Sequence, residues 1–242
     1  LLEPQRYQPR LYWEERLKAN FNLRGVGHIG FSESYNAWLY RRKTEVVEAV
    51  FAGKRLAGQK VLDVGCGTGF FAAWYLQRGA EVFGIDVTEV SVGELSKRYQ
   101  GVFRTQDITD PDYAPLAAFD VVNMWDVVYH IVDDDAFNRA LINVARSLKP
   151  QGLFLFTDWL GAAGRLATAA HVKARNLNTY TTLLAEKGLV PVGVKPLYRS
   201  LDKPHFGAML DNRLGWLYYL CDRHQSHPAT DNLSLGVWRK KP

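Results

Sequence analysis

Residues 61–71 read VLDVGCGTGFF, and the organisation of the chain is worked out from them. Residues 60–64 form a short β-branched run. Gly65, Gly67 and Gly69 then recur at alternate positions, and an apolar helix runs on to about residue 78, where Gly79 ends it. Glycines in such a loop permit a tight turn and let a ligand approach the backbone closely. The spacing is G-x-G-x-G, not the G-x-G-x-x-G fingerprint of a dinucleotide site.

Downstream, strand and helix patterns alternate. Residues 81–86 are a second strand ending in Asp86, 21 residues after Gly65, and Thr88 is placed to cap the helix that follows. A carboxylate at that distance suits the two hydroxyls of a ribose. Residues 102–106 form a third strand with Asp107 just beyond it, and residues 119–125 a fourth. Asp133-Asp134-Asp135 reads as the cap and favourable charge of a helix carrying Phe137, Leu141, Ile142, Ala145 and Leu148. Pro150-Gln151-Gly152 turns the chain into a fifth strand at 153–158. Residues 161–175 are a helix or a mobile connection, 179–187 a helix, 190–198 a sixth strand and 233–239 a last strand. Residues 200–231 read as an insertion holding His205, Trp216, Tyr218, Tyr219, Cys221, His224 and His227. The alternation predicts an α/β fold with an open, doubly wound, mostly parallel sheet.

Upstream, residues 1–58 read as helical. An amphipathic stretch at 11–23 is broken by Gly25, Gly27 and Gly30, and Ser32 caps a helix over 33–52. Two domains are expected: an N-terminal helical cap or lid over residues 1–58, and a main domain over 59–242 containing the insertion.

These segments resemble class I S-adenosylmethionine-dependent methyltransferases of the small-molecule type. Asp63, Gly65, Gly67 and Gly69 match the family's D-x-G-x-G-x-G loop. Asp86 matches its ribose-binding acid, and Asp107, with Ile108 beside it, the acid that meets the adenine amino group. FDVVNMWDVVYHI (119–131) resembles the fourth-strand motif beside the reactive sulfonium, and LKPQGLFLFTD (148–158) the fifth-strand motif. The resemblance implies a Rossmann-like, seven-stranded sheet with a reversed last strand. It also implies bound S-adenosylmethionine, S-adenosylhomocysteine as product, and methyl transfer to oxygen, nitrogen or carbon of a small organic acceptor. Asp63, Gly65, Cys66, Gly67, Gly69, Asp86, Val87, Asp107, Ile108, Met124 and Trp125 are the expected cofactor contacts. Asp63 acts either through the loop backbone or on the ligand's amino group.

For catalysis, His130 stands near where the methyl group should point. Its role is either general base, with an ordinary pKa of ~6.5, or structural, and Asp126 competes for the same task. His28, Tyr35 and Tyr40 are candidate substrate contacts from the cap. Cys66 sits where the family tolerates small residues, so a nucleophilic role is the minor reading. His205, Cys221, His224 and His227 fit no zinc spacing, and no metal is expected.

Composition narrows the partners. Lys and Arg exceed Asp and Glu by five, spread along 242 residues, so nucleic acid is an unlikely partner. The alternatives to small-molecule transfer are tRNA or rRNA methylation, or cofactor binding without turnover. No apolar run approaches the ~20 residues that span a bilayer. The N-terminus lacks the pattern of a signal peptide, and two cysteines, one in the glycine loop, suit a reducing cytoplasm. No membrane partner is expected, and the sequence leaves the oligomeric state open.

Overall fold

A computed structural model describes residues 7–113, 117–161, 169–202, 205–224 and 232–242. Three helices come first: α1 (Pro9–Ala19), α2 (Leu23–Val26) and α3 (Glu33–Val50). The alternating part is β1 (Lys60–Val64), α4 (Phe70–Leu76), β2 (Glu81–Asp86), α5 (Glu89–Arg98), β3 (Val102–Thr105), β4 (Phe119–Met124), α6 (Asp134–Ser147) and β5 (Leu148–Trp159). It ends with α7 (Leu177–Glu186), β6 (Leu189–Tyr198), α8 (Ala208–His224) and β7 (Leu233–Lys240).

The seven strands take the order β3-β2-β1-β4-β5-β7-β6. Pairing is parallel from β3 through β5, and β7 runs antiparallel between β5 and β6. This is the Rossmann-like sheet with a reversed last strand that the family resemblance implies. The strand order reverses between β1 and β4, where an open α/β sheet leaves a crevice beyond its strand ends. β1 is buried on both faces, which accounts for its unbroken apolar run. Val61 packs with Val121, Leu155 and Tyr75 on the side of the N-terminal helices. Leu62 packs with Val122, Phe154 and Leu141 on the other.

Local chemistry explains most element starts. Ser32 Oγ accepts from Tyr35 N at α3, and Asp133 Oδ1 from Ala136 N at α6, as the sequence suggests. Thr88 departs from expectation: it is the N-cap residue of α5, yet its hydroxyl donates to Asp86 at 2.7 Å. The helix is capped from outside instead. Glu14 Oε2, on α1, accepts from Glu89 N at 2.7 Å and Val90 N at 3.5 Å, an acid at the positive end of a helix. The fifth strand also starts earlier than its expected bounds. Leu148 already pairs with Phe119, and the turn read at Pro150-Gln151-Gly152 is an irregularity within the strand, where Gln151 takes φ 65°. Within 161–175, residues 162–168 lie outside the described residues and the remainder contains no helix.

Candidate functional site

The glycine loop joins β1 to α4 with a positive φ at each of its three glycines: 68° at Gly65, 50° at Gly67 and 81° at Gly69. Two are also sterically required. A Cβ on Gly65 would come within 2.4 Å of Val127 Cγ2, and one on Gly67 within 2.8 Å of Val26 Cγ1. The loop borders a cavity of about 510 Å³ that opens where the C-terminal ends of β1, β2, β3 and β4 meet α1, α2 and α3. That volume is typical of a site for a small ligand.

Five carboxylates line it, Asp63, Asp86, Asp107, Asp126 and Asp133, and no Lys or Arg does so among the described residues. Asp86, at the end of β2, is held open-handed. Its Oδ2 accepts from Gly67 N at 2.9 Å, and its Oδ1 from Thr88 N at 2.9 Å and Thr88 Oγ1 at 2.7 Å. Burial raises its pKa, and the Thr88 and Gly67 bonds pull it back. Asp63 is deeper. Burial pushes its carboxyl up to about 7, against the amide of Asn123, which donates to Asp63 Oδ1 at 2.7 Å, while the Asp86 charge pushes upward too. Tyr75 in turn donates to Asn123 Oδ1 at 3.2 Å, so Asp63 is oriented by a buried chain from α4 through β4. Asp107 accepts from Thr109 N at 2.8 Å.

The cavity wall is also aromatic, with Trp13, Tyr40, Phe70, Phe71, Trp125 and His130 in it. Trp125 stacks on Phe71 at 4.4 Å between ring centroids. Asp126 takes φ 56°, a strained value for a residue with a Cβ. Thr157 Oγ1 holds that turn from both sides, accepting from Asp126 N at 2.7 Å and donating to Asp126 Oδ1 at 3.0 Å. Asp126 Oδ2 accepts from Lys43 Nζ, whose side chain is only 2% exposed and lies 4.3 Å from the Tyr40 ring centroid. His130 donates from Nδ1 to His171 O at 2.7 Å, since a carbonyl can only accept. That bond assigns the proton to Nδ1 and leaves Nε2 with a lone pair. Burial pulls the pKa of His130 down to about 4 despite the carbonyl bond. Trp13 meets the His130 ring edge-on at 4.9 Å, and His171 stacks between it and Tyr12.

Most of the expected residues gather here: Asp63, Gly65, Cys66, Gly67, Asp86, Val87, Asp107, Ile108, Trp125, Asp126, His130 and Tyr40 all line the cavity. Four do not. Gly69 is set back as the N-cap residue of α4, where a Cβ would meet Leu95. Met124 is fully buried on the opposite face of β4, among the residues packed with Leu62, because successive strand residues alternate faces. Tyr35 is buried with its hydroxyl donating to Leu201 O and its ring stacked on Phe31. His28 packs against Phe31, in a bend held by Asn36, which accepts from His28 N at 2.7 Å. No described residue of 200–231 lines the cavity either: α8 packs against α3 instead, and His227 lies outside the described residues. The Cys66 thiol is pushed well up by burial and by Asp86 and Asp63, which keeps it protonated and ill-suited to attack. Among the described residues no cluster of His, Cys, Asp and Glu could hold a metal ion. Sequence reasoning missed Lys43, Asn123, Thr157 and His171. Lys43 sits on a helix face that reads as solvated, and the other three act only through contacts distant in sequence.

Comparison with known proteins agrees with this geometry. Residues 35–235 match the family described as methyltransferase domain. Phosphoethanolamine N-methyltransferase 1 of Triticum aestivum is 32% identical over 170 residues, covering 66% of this chain and 33% of that protein, so this chain spans a third of the wheat relative's length. A Mycobacterium tuberculosis protein named "Probable S-adenosylmethionine-dependent methyltransferase" is 26% identical over 206 residues, covering 81% of this chain and 73% of that one. Among solved structures, magnesium protoporphyrin IX methyltransferase from Synechocystis, with bound S-adenosylmethionine, superposes with a TM-score of 0.64 at 16% identity, covering 98% of this chain and all of the other. The chain belongs to the methyltransferase-domain family, and the class I S-adenosylmethionine-dependent resemblance read from residues 61–69 is borne out.

Proposed function

We propose, from membership of that family, that the protein transfers a methyl group from S-adenosylmethionine to a small, partly apolar acceptor that carries no phosphate or carboxylate. The observation that carries the reading is that the glycine loop, Asp63, Asp86 and Asp107 line one cavity together with Trp13, Tyr40 and His130. When bound, the cofactor supplies a sulfonium methyl already activated for displacement. The chain has the donors and acceptors to hold it. Asp86 retains acceptor capacity on Oδ2 for a ribose hydroxyl beyond its three present bonds. Asp63 offers a carboxyl that the positive charge of the ammonium would hold ionised, Asp107 offers an acceptor for the adenine, and Gly65 and Gly67 leave the backbone bare where a Cβ would collide. Val87, Ile108 and Trp125 supply apolar wall.

The acceptor lies against the aromatic part of the wall, beside Trp13 and His130. Its positioning supplies most of the rate, because the electrophile needs little further activation. Asp126 is held by Lys43 and Thr157 and serves to shape that wall. His130 presents the lone pair of Nε2 and takes the acceptor's proton where there is one to take. The five carboxylates and the lack of a lining cation among described residues favour a neutral or cationic acceptor over a phosphorylated one or a nucleic acid.

Residues 1–58 act as the cap of this site. Tyr7, Pro9, Trp13, Leu17 and Val26 line the cavity from positions before residue 35, where the family match begins. The Glu14 cap of α5 and the Arg10–Glu89 ion pair, at 2.5 Å, hold α1 down on the half of the fold that carries Asp86. A cytoplasmic location belongs to the same proposal, supported by two free cysteines. No described helix is long and apolar enough to cross a membrane.

Titration calorimetry with S-adenosylmethionine, S-adenosylhomocysteine and NAD tests the reading, followed by mass spectrometry of products formed from an amine and phenol library. Binding of both sulfur nucleosides and not of NAD is expected. Tight NAD binding with no response to either sulfur nucleoside refutes it.

A further inference from the structure

α8 buries both of its acids beside Tyr218 and Tyr219. Its two acids point inward and are fully engaged. Asp211 accepts from Tyr218 Oη at 2.7 Å and from the backbone N–H groups of His205 and Phe206. Asp222 accepts from the backbone N–H groups of Arg199, Ser200 and Leu201 at 3.1, 2.8 and 3.0 Å. Between them Gly215 lies against α3, where a Cβ would come within 2.9 Å of Trp38 and 3.0 Å of Tyr35. These contacts fix the rotation of the helix about its axis. The face left outside is apolar: Met209 is 79% exposed, Phe206, just before the helix, 70%, and Trp216 48%, with Leu210, Leu217 and Leu220 beside them.

Taking roughly 150–250 Å² for a large side chain, these six residues expose on the order of 600 Å² of apolar surface. Monomeric proteins rarely leave that much without a use. Among the described residues of 205–224, the outward charges on this face are arginines. Arg213 stands exposed in its middle, and Arg223 is half exposed at its C-terminal end, 3.8 Å from Glu45, which also accepts from Tyr219 Oη. No carboxylate of α8 faces outward, because both are spent inside.

We propose that this face docks on an anionic phospholipid surface, α8 lying in the plane of the headgroups with Phe206, Met209 and Trp216 inserted. The distribution of charge selects that occupant. An apolar face bearing only arginines complements lipid phosphates, and a guanidinium reaches the headgroup layer while its stem stays in apolar surroundings. A second copy fits less well: antiparallel two-fold pairing centred on residues 206–220 would bring Arg213 onto its own symmetry mate and desolvate both charges. The sequence-based expectation of no membrane partner rested on spanning length, and a helix lying along the surface needs only one apolar face.

The test is co-sedimentation of the full chain with vesicles of phosphatidylcholine alone and of an equimolar mixture with phosphatidylglycerol. Binding to the mixed vesicles, weak binding to phosphatidylcholine and loss at high salt are expected. The triple variant Phe206→Ser, Met209→Ser, Trp216→Ser should weaken binding by about tenfold or more, and Arg213→Glu should abolish the preference for the anionic vesicles. All four positions are exposed and outside the cavity, so unchanged thermal melting and S-adenosylhomocysteine binding will show that the fold and the cofactor site survive. Absence of binding to the mixed vesicles, or binding that the triple variant leaves intact, overturns the proposal. So does a concentration-dependent dimer in sedimentation equilibrium that the triple variant dissociates, which would assign the face to a second copy.

Discussion

His130→Asn separates the two roles that one histidine can play here. The asparagine amide nitrogen occupies nearly the position of the imidazole Nδ1, so it can keep the bond to His171 O that is 2.7 Å long in the parent. It removes Nε2, the atom with the lone pair. At pH 7 an imidazole with a pKa of about 4 is protonated in only about one molecule in a thousand, against roughly one in four at the ordinary value of ~6.5. His130 is therefore always ready to accept a proton but is a weaker base than a histidine in water, and its contribution belongs at the lower end of general-base effects, about 10²-fold. The turnover of His130→Asn at pH 7.5 is expected to fall by about that factor, with S-adenosylhomocysteine affinity within about twofold of the parent. The parent pH–rate profile should stay flat down to about pH 5 and fall only as pH approaches 4, well below the limb that an ordinary histidine would show. The same depressed pKa has a stability consequence. The unfolded chain takes up a proton near pH 6.5 and the folded chain only near 4, so acid destabilises the parent across that window by about 1.4 kcal/mol per pH unit, and His130→Asn lacks this loss. Steady-state kinetics from pH 4.5 to 9 and urea melts at pH 7 and 4.5 measure both effects. A rate loss below tenfold with an unchanged profile, or an acidic limb near 6.5, refutes the base assignment.

Three further outcomes follow from the buried charges. Lys43→Met leaves Asp126 without its counter-ion in a buried setting, where side-chain exposure is 2% and 13% for the two partners; urea denaturation should show a loss of about 3–5 kcal/mol, and a loss under about 1 kcal/mol would mean that water or Thr157 already satisfies the carboxylate. Asp86→Ala removes the proposed ribose acceptor and frees Gly67 N, so calorimetric affinity for S-adenosylhomocysteine should fall tenfold or more; parent-like affinity in a folded variant would end that assignment. Asp63, pushed up to about 7, holds a proton in the folded chain that the unfolded chain releases near 4, so its contribution is fully present below that pH and is lost as pH rises through 7. Asp63→Asn, which can still accept from Asn123, should gain stability on the parent by on the order of a few kcal/mol between pH 4 and 8, and parallel stability curves would show that Asp63 stays ionised throughout.

Residues 61–71, the acids at 86 and 107, and the alternation of period-two and helical runs were enough to determine an open, mostly parallel, doubly wound sheet and to single out residues that line the cavity, while the reversed last strand came from the family resemblance. Each is a local signal: a glycine at positive φ, a carboxylate at a strand tip or a β-branched run declares itself within a few residues. The surroundings of Asp126 and His130 were not legible in the same way. Lys43 reads as an ordinary helix lysine until α3 folds it onto Asp126. His130 reads as an ordinary imidazole until burial beside His171 and Trp13 takes its pKa to about 4. Met124 and Trp125 are neighbours in the chain, and only the face that β4 turns to the cavity decides that one lines it and the other packs behind it. Tyr35 and His28 belong to the expected cap, yet the rotation of α3 and the bend held by Asn36 point them into packing. Both acids of α8 are buried while six apolar residues at 206–220 stay exposed, because Asp211 and Asp222 find backbone N–H groups to satisfy them. Desolvation, pairing of buried charge and the orientation of a face depend on neighbours distant in sequence, and those the tertiary structure alone decided.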